Sequence, residues 1–525
     1  MAGQQLPMSE DITEAMAKTV GVSPLDQYNV KLIENCHPPT WKDPSKGDTF
    51  VYDIIAVGAG AAGLVTAKQS ARRGAKSALI ENHIAGGDCL FVGCVPSKAL
   101  LRCARAAYEQ RRDDLGVEGA IAPVNFGKIM ERMRRLRAQI SHVDSHAATI
   151  AAGADVYQGT ATFTGKDTLT VNGQTLRFKK AVICTGAKAF VPPIPGLQEA
   201  PILTNASLFN LTELPPRFVV LGAGPIGLEM AQAFRRFGSE VTVLEGLPRI
   251  LGPEDPEAAA ILHAQLVEEG VTIHAGIKVS RVEHTDKKPF PEIRVHVELS
   301  DGSAEVVVCD AFLVATGRKP NVENLGLEVA GVDFKPQGVV VNDDLSTSNP
   351  NIFAIGDVID RPEFKFTHMA GTMAGMAVHT ALFKDKQDLP VNAPTALLSE
   401  IVCPRATYTE PEVASMGIGN QAQADRKGVE VDIYKAKLEH NDRGILEGHT
   451  EGLCHIVCAK GTDKILGATV VAERAGDCIA ELTLAAQHGV SMSSVGRTVH
   501  SYPTLGEVCQ QCALAYNRAR WSRME

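Results

Sequence analysis

Two short apolar runs, VYDIIAV (51–57) and RFVVL (217–221), each stop at a glycine-rich turn and are each followed by a helical stretch, LVTAKQSARRG and LEMAQAFRRFG. The turns, GAGAAG and GAGPIG, begin 164 residues apart. A strand that enters such a turn and leaves it as a helix builds a parallel sheet with helices on both faces. Its duplication calls for two α/β domains in one chain. In the first turn Gly58 permits a tight reversal, Gly60 lets the backbone approach a pyrophosphate, and Gly63 lets the helix pack closely on the strand. Gly222, Gly224 and Gly227 repeat that spacing. The helix N-termini behind both turns offer free amides and a partial positive charge to phosphates.

Glu81 follows Gly58 by 23 residues at the end of KSALIE, and Glu245 follows Gly222 by the same interval at the end of EVTVLE. A carboxylate there can accept hydrogen bonds from ribose hydroxyls. One such turn is a common feature; two, with matched strands, helices and acids, point to two bound dinucleotides. A carboxylate at 245 favours a free ribose 2′-hydroxyl and repels a 2′-phosphate, which predicts NADH over NADPH at the second site. Arg249 is the nearby residue that pulls the other way.

The chain has 525 residues, enough for three to four domains with full cores, and a net charge of -9 that opposes binding to nucleic acid or anionic membrane. No apolar run approaches the roughly 18 residues that span a bilayer. The first 20 residues lack the apolar core of a secretory signal, and Glu10, Asp11 and Glu14 argue against a transit peptide, so a cytoplasmic location is expected. Residues 1–50 are polar, broken by Pro38, Pro39 and Pro44, and read as an arm without regular periodicity lying on the domain behind it. Arg132, Arg134, Arg135 and Arg137 share one helix with acidic neighbours and read as its solvated face. Beyond about residue 390, ATYTEPEVASMG, CHIVCAK and ILGATVVAE alternate as antiparallel strands, followed by helices at AGDCIAELTLAAQHG and near VCQQCALAYNRARW. That is a third, α+β domain.

Twelve cysteines in a chain without export signals do not form a disulfide scaffold. GGDCLFVGCVPSK, just after Glu81, places Cys89 and Cys94 five apart. In a regular helix that spacing turns the side chains about 140° apart, too far for a disulfide, whereas Gly86, Gly87, Gly93 and Pro96 point to a distorted first turn that brings them together. Two unrelated buried thiols, or half of a metal site, are the other readings; no second ligand pair of suitable spacing accompanies them.

GGDCLFVGCVPSK resembles the redox motif of the class I pyridine nucleotide-disulfide oxidoreductases, which include glutathione reductase, dihydrolipoamide dehydrogenase and mercuric reductase. The resemblance runs from about residue 51 to the end and includes CTG (184–186), VATGRKPN (314–321) and NPNIFAIGDV (349–358) in the family's order. It implies a discontinuous FAD-binding domain (51–205 and 331–390), an NAD(P)-binding domain (206–330) and a C-terminal dimerisation domain (391–525) that makes a homodimer. The residues implied at the FAD are Gly58, Gly60, Gly63, Glu81, Gly87, Lys98, Thr185, Gly186, Gly356 and Asp357, with Asp357 holding the ribityl chain. At the nicotinamide dinucleotide they are Gly222, Gly224, Gly227, Glu245 and Gly317. Lys98 and Glu229 are implied as an ion pair beside the flavin, Cys89 as the exposed interchange thiol and Cys94 as the thiol against the flavin. A thiolate at a helix N-terminus with Lys98 one turn later fits the second role.

Disulfide reductases of the family carry a histidine before a proline near the C-terminus, five residues ahead of a glutamate. Here HSYPTLGE puts Tyr502 before Pro503, keeps Glu507, and leaves His500 two residues too early. A phenol with an ordinary pKa near 10 is a poor proton shuttle at neutral pH. Mercuric reductases resemble this chain there, and a soft ion held by thiolates needs no such base. The mercuric reductase-like branch is therefore the better match, with Hg(II) or another small-molecule or metal-ion acceptor meeting Cys89, Cys94 and the partner's Tyr502 and Glu507. The tail of adjacent cysteines that mercuric reductases carry is not seen in this sequence. A dihydrolipoamide dehydrogenase or other disulfide reductase, with His500 or water replacing the base, is the enzymatic alternative; a redox-sensing regulator is the alternative of another class. Cys509 and Cys512, three apart on the last helix, and Cys454 and Cys458 on one strand read as core residues, no resident metal is expected, and His500 reads as structural.

Overall fold

The computed structural model describes residues 12–521 apart from 48, 118 and 385–396. The expected boundary at 390/391 and the first 11 residues of the arm lie outside the described residues. Val51–Val57 and Arg217–Leu221 form where the apolar runs predict strands. Both are buried from each side along most of their length, which is why they read as near-continuous apolar runs.

Around Val51–Val57 the parallel strands run in the order Asp155–Gln158, Ser77–Glu81, Val51–Val57, Gln174–Ile183, and Ile352–Ala354 returns late in the chain to pair with Gln174–Ile183. Around Arg217–Leu221 the order is the same in kind: Thr272–Ala275, Glu240–Glu245, Arg217–Leu221, Ala311–Val314, all parallel. The helices Ala61–Arg72 and Pro225–Phe237 leave the two turns. An antiparallel three-stranded sheet, Lys278–Thr285, Glu292–Glu298 and Ala304–Cys309, sits inside the second unit. Beyond residue 403 a five-stranded antiparallel sheet, in the order Pro404–Thr407, Glu412–Gly417, Ile465–Ala472, Leu453–Ala459, Val431–Lys437, is covered by the helices Ala475–Gln487 and Glu507–Trp521. The fold is α/β with this α+β unit following it.

Two expectations are corrected. The N-terminal arm does lie on the first unit, but not as irregular chain: Glu14–Thr19 and Gln27–Cys36 are helices, capped by the Thr13 and Asp26 side chains. Val30, Leu32, Ile33 and Cys36 are buried, and the prolines fall after the second helix has ended. That helix packs on Phe126–Asp144, the helix of the basic cluster, and so covers part of it. Arg134 and Arg137 are 7% and 0% exposed and so are not solvated, whereas Arg135 is exposed and Arg132 half-buried.

Candidate active site

The motif GGDCLFVGCVPSK folds as two helices with a break between them, Gly87–Phe91 and Cys94–Glu109. A Cβ at Gly93 would stand 2.7 Å from the Asp88 carbonyl oxygen, so only glycine lets the chain fold back there. The break brings Cys89 and Cys94 into hydrogen-bonding contact. Cys94 opens its helix and is exposed, whereas Cys89 sits half-buried on a one-turn helix whose Leu90 and Phe91 belong to the core. Their acidity ranks as expected. The bond from Cys89, then the Thr367 hydroxyl (3.4 Å from Cys94 Sγ) and the charge of Lys98, hold the Cys94 thiol down to about 6 against its burial. The same shared bond, with burial, pushes the Cys89 thiol far above the ordinary range.

One turn after Cys94, Lys98 Nζ lies 2.8 Å from Glu229 Oε2 on the helix that leaves the second glycine turn. The Tyr408 backbone N–H donates to the other oxygen of Glu229 at 3.0 Å, and Lys98 Nζ sits 4.2 Å from the centre of the Tyr408 ring. All three units of the chain meet at this pair.

A cavity of about 640 Å³ runs from the first glycine turn to Cys89, lined by Gly58, Gly60, Glu81, Gly87, Thr185, Gly186, Gly356 and Asp357. A second, of about 570 Å³, is lined by Gly222, Gly224, Glu245 and Gly317. The turns fit dinucleotides on steric grounds. A Cβ at Gly63 or Gly227 would stand 1.7 or 2.0 Å from the carbonyl oxygen of Gly58 or Gly222, which is the close packing of helix on turn. A Cβ at Gly60 or Gly224 would meet nothing within 4 Å, so each turn presents bare backbone to open space at a helix N-terminus, where a pyrophosphate would be held. Glu81 accepts the Ala59 and His83 N–H groups at 2.6 and 2.8 Å, and Glu245 accepts those of Ala223 and Leu247 at the same two distances. Arg249 donates four hydrogen bonds, to the carbonyls of Ile250, Leu251, Gly252 and Glu254.

Arg318, Thr367 and Tyr408 belong to the site without having been singled out in the sequence. Arg318 lines both cavities and links Asp88 (2.5 Å) to Asp357 (3.4 Å). Burial raises the Asp357 carboxyl, and Arg318 pulls it back. Arg318 stood within the quoted VATGRKPN, beside Gly317, which was the one signal for it.

Tyr502 and Glu507 line neither cavity. The Tyr502 hydroxyl donates to Asp442 at 2.7 Å, and Glu507 accepts the Thr504 N–H at 2.9 Å. His500 has both ring nitrogens engaged, Nδ1 with the Thr498 carbonyl at 2.9 Å and Nε2 with Glu481 at 2.9 and 3.0 Å. Cys454, Cys458, Cys509 and Cys512 are all fully buried, and the Cys454 thiol contacts those of Cys509 and Cys512.

The description of the pyridine nucleotide-disulphide oxidoreductases matches residues 52–374, and that of the same family's dimerisation domain matches residues 403–513. The chain belongs to this family. FAD and a pyridine nucleotide are the cofactors that the two cavities serve. A mercuric reductase of Staphylococcus aureus is 33% identical over 469 residues, 89% of this chain and 83% of that protein. A dihydrolipoyl dehydrogenase of the same species is also 33% identical, over 470 residues, 88% of this chain and 96% of that protein. Among solved structures, the Cu(II) complex of the HOCl-induced flavoprotein disulfide reductase RclA from Escherichia coli is 25% identical with a TM-score of 0.75, covering 89% of this chain and 99% of that one. No helix among the described residues is long and apolar enough to cross a membrane.

Proposed function

We propose that the protein is a homodimeric NADH-dependent reductase that delivers electron pairs through FAD and the Cys89–Cys94 pair to a thiol-bound soft metal ion such as Hg(II). FAD, when bound, supplies a ring that takes hydride from the nicotinamide and passes an electron pair onward. The protein's own residues supply the rest. Cys94 keeps a negative charge under Thr367 and Lys98, Glu229 neutralises Lys98 and ties it to Tyr408, and Cys89 engages the acceptor. Gly58, Gly60, Gly87 and Asp357 hold the flavin dinucleotide, and Gly222, Gly224 and Glu245 the nicotinamide one.

The acceptor rests on one observation: no free imidazole stands on the C-terminal loop where the family's disulfide reductases place theirs. Tyr502 occupies that position with its proton committed to Asp442, and His500 is locked between Thr498 and Glu481. Thiol–disulfide exchange is aided by a positioned acid that protonates the departing thiolate as the S–S bond breaks, whereas transfer of a soft ion between thiolates breaks no S–S bond and relies less on such a group. That a related flavoprotein disulfide reductase has been solved as a Cu(II) complex supports a metal ion as the class of acceptor. The test is anaerobic oxidation of NADH and NADPH with thiol-complexed Hg(II), Cu(II), lipoamide or oxidised glutathione as acceptor. Fast turnover with Hg(II) that vanishes in Cys89→Ala is the expected result. Faster turnover with lipoamide would replace this reading with a dihydrolipoamide dehydrogenase.

A further inference from the structure

Arg137 is fully buried, yet among the described residues no carboxylate forms an ion pair with it. Burial, with Arg134 beside it, lowers it only to about 10, so it stays charged at neutral pH. One arm of its guanidinium donates to the Phe91 carbonyl at 2.7 Å, and the other to Asn29 Oδ1 at 2.7 Å. Phe91 is the last residue of the one-turn helix that carries Cys89, and its ring lies 5.1 Å from the guanidinium. A helix end leaves its last carbonyls without partners, and a buried cation there is the strongest available cap.

The other end of the same helix is held from the same direction. The Cys36 carbonyl, at the end of the helix Gln27–Cys36, accepts the Ala85 N–H at 2.9 Å, one residue before Gly86 and the start of Gly87–Phe91. Asn29 is itself fixed: it is 0% exposed and its side-chain N–H donates to the Pro24 carbonyl at 2.7 Å. Asp26 pairs with Arg134 at 2.5 Å, and Asn35 donates to Ser141 at 2.8 Å, so the segment is bolted along the helix that carries Arg137. All of these residues of the segment precede the part of the chain matched by the family description.

We infer that residues 24–36 are a clamp on the redox turn, with Asn29 and Arg137 as positioning residues that hold Cys89 beside Cys94. The inference rests on the reading of those cysteines as a redox pair. A disulfide forms when two thiols are held at the right separation, so anything that fixes one against the other raises its effective concentration and favours the oxidised state. Releasing the Phe91 end of the helix shifts the equilibrium toward the dithiol.

The test is equilibration of the whole flavoprotein with glutathione redox buffers, in which the Cys89 and Cys94 thiols give up two protons and two electrons to form the S–S bond and glutathione disulfide becomes two thiols. Asn29→Leu removes the acceptor for Arg137 at nearly the same volume, and Asn29→Asp keeps that acceptor while giving up the donor to the Pro24 carbonyl. We expect the oxidation equilibrium constant of Asn29→Leu to fall at least threefold, with Asn29→Asp returning to within twofold of the parent. A lowered melting temperature with an unchanged equilibrium constant in Asn29→Leu would make Asn29 a merely structural residue and overturn the clamp. Should Asn29→Leu fail to fold, Asn29→Ala, which also removes the acceptor, is measured by the same standard. If the unaltered protein forms no Cys89–Cys94 disulfide in these buffers, the redox-pair reading fails and the clamp with it; an equal constant in both proteins sinks only the clamp.

Discussion

At the scale of single residues, the chemistry depends on how unlike the two thiols of one short motif become. Cys94 owes its acidity first to the hydrogen bond from Cys89 and then to Thr367 and Lys98. Truncating the donor should therefore act on the neighbour. In the reduced protein we expect one thiol to titrate near 6, and in Cys89→Ala the Cys94 value should climb toward that of an ordinary thiol. The rate of iodoacetamide labelling at Cys94, followed by mass spectrometry across a pH series, reads this directly. An unchanged profile in Cys89→Ala would assign the acidity to Lys98 and the helix end instead. Glu245 offers a second test. Arg249 spends its donors on four backbone carbonyls, which supports the proposed NADH preference in the reading that places Glu245 at the ribose. Glu245→Gln keeps an acceptor for one of the two backbone N–H groups and removes the charge, so the ratio of kcat/KM for NADH over NADPH should fall about tenfold.

Among elements, the helix Ala475–Gln487 and the loop that carries His500 give a pH dependence with a defined sign. Glu481, on the helix Ala475–Gln487, and the Thr498 carbonyl raise the His500 imidazole above its ordinary 6.5, against the partial burial that opposes them. A group raised in the folded state stabilises it fully below the unfolded value and loses that contribution as pH rises through the folded one. The melting temperature should therefore decline as pH rises from 6.5 through the elevated value, and Glu481→Gln should flatten that decline. A decline unchanged in Glu481→Gln would locate it elsewhere. The strands Val51–Val57, Arg217–Leu221 and Glu240–Glu245 were legible because a buried parallel strand is an apolar run ended by a glycine turn or an acid, all of it local information. Arg137 was not, because a basic residue inside a basic helix looks solvated until another segment covers it. Its partners Phe91 and Asn29 lie 46 and 108 residues away. Tyr408 and Thr367 were missed for the same reason: each matters through a contact made across the fold. The cysteine pair was legible because its glycines and proline announce the broken helix that joins it.

For the whole molecule, the decisive question is whether one chain holds a complete site. The flavin cavity, the nicotinamide cavity and the cysteine pair all lie within one chain, but Tyr502 and Glu507 line neither cavity. In the proposed homodimer they serve the other copy's cysteines. The surface agrees: Leu484, Val499 and Tyr502 are 62%, 93% and 71% exposed on the part of the chain that matches the family's dimerisation domain. Exposed apolar groups of this kind are stabilised by burial against a second copy, at about 25 cal/mol per Å² removed from water. Replacing Leu484 and Val499 together by Asp places two charges where that burial would occur. We expect the double variant to sediment at half the parent's mass while keeping its bound flavin. Its reduction of ferricyanide by NADH should persist, because a one-electron acceptor of that kind needs nothing from the C-terminal loop. Turnover of thiol-bound Hg(II) should fall about a hundredfold, the usual consequence of losing positioned groups at a reacting centre. A monomer that still reduced Hg(II) at the parent's rate would show that Cys89 and Cys94 need no help from a second chain, and Tyr502 would then have no part in choosing the acceptor.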